Sequence, residues 1–118
     1  MCGNLSSYHH SLFFKEQGVL RMKNLRSLEL AKALYKQCKH QPVKGAIRDQ
    51  LERASLSVCL NLAEGSAKDS TKDRRRFYVI ALGSLREVQT IIDIENLPLM
   101  KEADVLGAHI YKLTRSLG

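Results

Sequence analysis

Apolar positions past residue 23 recur at intervals of three and four, and no stretch shows the strict alternation of a half-buried strand. From Asn24 to His40, Leu28, Ala31, Tyr35 and Cys38 share a face with Leu34 beside them, which predicts a first helix that ends before Pro42. A second helix is predicted from about Val43 to Glu64. Ile47, Leu51, Ala54, Val58 and Leu62 form one apolar stripe on it, and Leu56, Cys59, Leu60 and Ala63 a second on another face. A helix apolar on two sides is central or lies at a subunit interface. Gly65 stands where a C-terminal cap is expected.

Ser70, with Asp73 three residues on, opens a third helix as a variant of the capping box. It runs to about Glu95, with Phe77, Ile80, Ala81, Ser84, Val88, Ile91 and Ile92 on one face. After a turn at Glu95-Asn96-Leu97-Pro98, a last helix carries Leu99, Ala103, Leu106, Ile110, Leu113 and Leu117 in a heptad seam. Four helices with short links predict an all-α domain over residues 22–118, an antiparallel up-down-up-down four-helix bundle. Residues 1–21 are polar and aperiodic and read as a flexible extension, with Met22 a candidate initiation residue.

A polar stripe crosses the second helix between its apolar stripes: Gln50, Arg53, Ser57, Asn61 and Glu64. An antiparallel hairpin turning near residue 70 sets Glu64 against Arg76, Ser57 against Gly83 and Ser84, and Arg53 against Glu87. The complementary signs at both ends predict ion pairs that fix the register of the hairpin, a role such pairs fill more dependably than they add stability. Glycine inside a helix costs about 1 kcal/mol relative to alanine. The expected compensation at Gly83 and Ser84 is close approach of another backbone.

Composition adds a charge argument. The 118 residues carry 19 Lys+Arg against 12 Asp+Glu, a net charge of +7, which suits a polyanionic partner such as nucleic acid. The competing reading is a basic protein that is merely soluble. Lys32, Lys36 and Lys39 form a stripe along the first helix, and Lys72, Arg74 and Arg75 cluster at the start of the third. Basic residues at a helix N-terminus oppose the macrodipole, so this cluster has no local structural motive. These six are the candidate phosphate contacts, with Arg76 assigned to the polar seam. Phe77 is expected in the core, which leaves no stacking platform for bases beside the arginines.

Other chemistry finds little support. Cys2, Cys38 and Cys59 include no Cys-x-x-Cys pair, so neither a disulfide framework nor a zinc site is indicated. His9, His10 and Cys2 are potential metal ligands only within the extension, and no metal or cofactor is expected. No nucleophile, acid and base stand at a recognisable spacing among Asp49, Glu52, Glu64, Asp69, His40 and His109, and no phosphate-binding or metalloprotease motif occurs. The chain is read as a non-enzyme. It has no signal-peptide pattern and no apolar run near the roughly 20 residues needed to span a bilayer, so a cytoplasmic protein without a membrane partner is expected.

The stretches RDQLERASLSVCLNLAEGS and RRFYVIALGSLREV carry a family likeness. Asn61-Leu-Ala-Glu64-Gly65, followed at this separation by Phe77 through Ala81, Gly83, Ser84 and Glu87, resembles the four-helix-bundle proteins encoded in intervening sequences of bacterial large-subunit ribosomal RNA genes. The likeness covers roughly residues 24–117. It implies a ring-like homopentamer of antiparallel bundles. A related branch serves diversity-generating retroelements as an accessory to reverse transcriptase and binds nucleic acid through a basic surface. The expected function is therefore an oligomeric, non-catalytic scaffold that binds nucleic acid, with RNA the expected ligand. The alternative is a protein-binding adaptor, such as an accessory subunit of a reverse transcriptase.

Overall fold

A computed structural model describes residues 25–116 and places four helices and no strand among them. Helix α1 covers residues 25–39, α2 Gly45–Ser66, α3 Thr71–Glu95 and α4 Met100–Ser116. Asn24 and Leu117, the proposed extension at residues 1–21 and its Cys2, His9 and His10 lie outside the described residues.

The α1–α2 link is held by one side chain. Arg48 donates from Nε to the carbonyl of Val43 and from Nη1 to that of Lys39, at 3.2 Å each, and Nη1 also reaches the Glu52 carboxylate at 2.6 Å. The bond to Lys39 satisfies a carbonyl that the end of α1 leaves open, and the bond to Val43 pins the link beside it. Gly45 opens α2 at φ +61°, a left-handed conformation that favours glycine, so α2 starts two residues later than Val43.

The other boundaries follow local chemistry. Ser70 Oγ accepts from the Asp73 amide at 3.1 Å, as the capping pattern predicts. Asn96 ends α3 in the left-handed region at φ 55°, and the Leu97 amide reaches back to the Ile92 carbonyl at 2.9 Å. Gly65 is not a cap. α2 continues through it to Ser66, and Gly65 is buried against α3.

α2 and α3 run antiparallel, and so do α3 and α4. Ser57 meets Ser84 and Gly65 meets Tyr78 between α2 and α3. Arg75 meets Thr114, Leu85 lies closest to Gly107 and Gln89 bonds Asp104 between α3 and α4. The core holds Leu34, Leu51, Leu62, Tyr78, Leu85, Ile92, Leu106, Ile110 and Leu113, all fully buried, and the expected seam residues of α4 from Leu99 to Leu113 are buried too.

Two expected faces are corrected. On α3 the buried side passes through Arg74, Tyr78, Ala81, Leu85 and Val88, whereas Phe77 and Ser84 are half-buried and Ile80 is 42% exposed. On a 25-residue helix several stripes satisfy the same spacing, and the neighbours choose among them. On α2 the second apolar stripe is largely uncovered: Leu56, Leu60 and Ala63 are exposed, Cys59 alone is buried, and Ile47 of the first stripe is at the surface.

Candidate nucleic-acid interface

The polar seam forms at its centre and not at its ends. The Ser57 and Ser84 hydroxyls share a 2.8 Å hydrogen bond, and Asn61 Nδ2 donates to the Ser57 carbonyl and hydroxyl at 2.9 and 3.1 Å. The expected ion pairs do not form. Glu64 pairs with Lys68 at 3.1 Å, Arg76 stands 4.0 Å from Asp73, Arg53 donates to Gln50, and Glu87 has no ion pair among the described residues. Arg53, Glu64, Arg76 and Glu87 are all exposed, so partners one turn away on the same helix are reached more easily than partners across the groove. Gly83 is exposed as well, and a Cβ there would meet nothing within 4 Å, so no backbone of the described chain approaches it. α3 passes through Gly83 without a break.

The six candidate phosphate contacts separate into three groups. Lys32, Lys36 and Lys39 lie exposed on α1, where Lys32 is tied to Glu29 at 2.9 Å and Lys39 sits 5.4 Å above the Tyr35 ring. Arg74 leaves the set. It is 5% exposed, and its Nε and Nη2 donate to the Lys68 carbonyl at 3.2 and 2.9 Å. Its position four residues before Tyr78 puts it on the core face, where it ties the α2–α3 turn to the start of α3. Lys72 and Arg75 remain exposed, and Arg75 Nε points to the Thr114 carbonyl at 3.4 Å.

That contact brings α4 into the surface, which the sequence reading missed. Lys72, Arg75, Val79 and Arg86 follow one another at spacings of three, four and seven along α3. Tyr111 and Arg115 follow at a spacing of four along α4, with the Arg115 guanidinium 5.9 Å from the Tyr111 ring centroid. Lys112 is exposed beside them. Residues 74–86 hold four arginines and no carboxylate, and residues 105–116, antiparallel to them, hold Lys112 and Arg115 and no carboxylate. None of Lys72, Arg75, Arg86, Lys112 and Arg115 forms an ion pair among the described residues. The absence of acids in both stretches was a signal available in the sequence; the antiparallel contact that joins them was not.

Aromatic placement also changes. Phe77 is half-buried, with Lys68 Nζ 5.2 Å and Arg76 Cζ 4.7 Å from its ring, while Tyr111 is 52% exposed. No group of three or more metal-ligating side chains occurs among the described residues, and no helix there is long and apolar enough to cross a membrane.

The family model described as 23S rRNA-intervening sequence protein matches residues 24–96, a span that ends one residue past α3. No curated protein matches the chain, and no solved structure does.

Proposed function

The chain belongs to the 23S rRNA-intervening sequence protein family, and we propose that it is a non-catalytic oligomeric scaffold that binds nucleic acid, with RNA the favoured ligand, through its basic surface. The observation that supports this most is the carboxylate-free pairing of residues 74–86 with 105–116, which leaves four exposed cations, Arg75, Arg86, Lys112 and Arg115, without ion-pair partners among the described residues. Helix surfaces ordinarily intersperse both signs. A one-sign surface raises the local concentration of a polyanion and releases its counterions on contact. Lys32, Lys36 and Lys39 form a second, weaker basic strip in this reading, because Glu29 already engages Lys32.

The scaffold is an up-down-up-down bundle, assembled as the ring of five that the family likeness implies. The surface proposed to meet a second copy flanks the Ser57–Ser84 bond. Leu60, three residues from Ser57, is 58% exposed, Ile80 and Gly83 lie close to Ser84 along α3, and Arg53, Glu64, Arg76 and Glu87 supply charges of both signs. Open space at Gly83 admits a neighbouring backbone, in place of the intrachain approach expected from sequence. The same apolar surface favours the alternative reading, an adaptor for a protein partner such as a reverse transcriptase. The protein is assigned to the cytoplasm, with no cofactor.

A salt series tests the main reading. Binding of a labelled structured RNA to the full chain is expected to weaken steeply with salt, and Lys72→Glu/Arg75→Glu to weaken it further and flatten the slope. Arg74 stays unchanged in that variant because it is buried. Salt-insensitive binding, or none, transfers the surface to the protein-adaptor reading.

A further inference from the structure

Resting on the nucleic-acid reading, we propose that the α3–α4 face takes unpaired nucleotides, with one base stacked on the Tyr111 ring and the flanking phosphates held by Arg75 and Arg115. Tyr111 is the one aromatic side chain among the described residues that is more than half exposed. Tyr78, by contrast, is fully buried in the core. An uncovered aromatic ring amid cations matches the composition of single-strand sites, where a basic groove tracks the backbone and aromatic faces receive bases.

The geometry favours single strands over a duplex. Arg115 lies 5.9 Å from the Tyr111 ring centroid, and Arg75 reaches the carbonyl of Thr114, the residue just before Arg115, so one cation stands beside the ring and a second is held against α4 about one helical turn from Tyr111. Lys72 and Arg86 lie 14 residues apart, which extends the basic line over about 21 Å of helix. A paired base has both faces occupied by its neighbours in the stack and offers Tyr111 nothing. A duplex would engage the cations and leave the ring unused. Tyr111, Lys112 and Arg115 lie beyond the residues that the family model matches, so this face combines a family helix with a helix outside the matched span.

The test uses fluorescence anisotropy of the full chain with a fluorescein-labelled single-stranded RNA of about 12 nucleotides, and with the same strand annealed to its complement, over a range of salt. The single strand is expected to bind more tightly than the duplex. Tyr111→Ala should weaken single-strand binding roughly ten-fold without altering its salt slope, leave duplex binding as it was, and be rescued by Tyr111→Phe. Arg75→Gln and Arg115→Gln should each reduce the slope by about 0.7. Equal binding of the two forms, or a single-strand preference that Tyr111→Ala leaves intact, overturns this inference while the nucleic-acid reading stands. Loss of salt-sensitive binding to both forms in the unmodified protein overturns both.

Discussion

Gly65 in α2 and Tyr78 in α3 pack so closely that a methyl group at residue 65 would lie 2.7 Å from Tyr78 Cε1 and 2.9 Å from Cδ1. Tyr78 is fully buried and cannot swing away without opening the core. Gly65→Ala gains helix propensity of about 1 kcal/mol, yet it overpacks the helix crossing at a cost of about 1–3 kcal/mol. Net destabilisation is expected, read as a lower urea midpoint with an unchanged m-value. A more stable variant would mean that Tyr78 relaxes freely.

Gly83 should behave in the opposite way. Nothing lies within 4 Å of a Cβ there, so Gly83→Ala is expected to stabilise α3 by about 1 kcal/mol. If Gly83 faces a second copy, the same change weakens self-association, which light scattering across a dilution series would show. Unchanged association would remove Gly83 from the proposed contact.

Adjacent arginines should separate cleanly. Arg74→Ala removes the bonds to the Lys68 carbonyl from a buried site and should cost about 2 kcal/mol of stability. Arg75→Ala, at an exposed position, should change stability by less than about 0.5 kcal/mol and weaken RNA binding instead. Thermal unfolding and anisotropy of the two single variants decide the matter, and equal effects in both assays would refute the division.

The hairpin register should depend on Ser57 and Ser84 and not on the flanking charges. A double-mutant cycle of Ser57→Ala and Ser84→Ala is expected to show a coupling of about 1 kcal/mol. The Arg53→Ala and Glu87→Ala cycle should show coupling near zero in unfolding, because no bond joins them within the chain. A strong Arg53–Glu87 coupling would point to contacts between copies.

Burial pushes the Cys38 thiol up from the usual 9.0 to about 11; a hydrogen bond with Ser55 opposes the shift and the charge of Cys59 adds to it. The folded state therefore favours the protonated thiol. The associated stability is fully present below pH 9 and declines as pH rises towards 11, by an amount on the order of 2 kcal/mol. Urea unfolding of the parent and of Cys38→Ala between pH 8 and 11 should show a steeper alkaline loss in the parent. Parallel curves would count against a buried protonated thiol.

Spacing along the chain was sufficient for the helices. The core of α4, the Ser70 cap and the meeting of Ser57 with Ser84 follow from three-and-four periodicity, local capping chemistry and the length of one turn. The α4 stripe and the Ser70 cap are short-range properties that a single segment encodes, and the Ser57–Ser84 meeting adds only the fold-back of two adjacent helices at a short turn. The all-α class and the family are therefore legible from residues alone.

Tertiary packing decided which side chains face what. Arg74, Arg75 and Arg76 are consecutive, and each projects about 100° from the one before it. Contact with the rest of the fold sends Arg74 into the α2–α3 turn, Arg75 towards α4 and Arg76 to solvent beside Phe77. The spacing of Phe77 and Tyr78 does not determine which ring Gly65 admits. Tyr111 and Arg115 join Lys72 and Arg75 only because α4 returns antiparallel along α3. Sequence determined the helices and the charge they carry. The assembly of that charge into one surface depends on helix rotation and pairing, which are set by contacts between residues far apart in the chain.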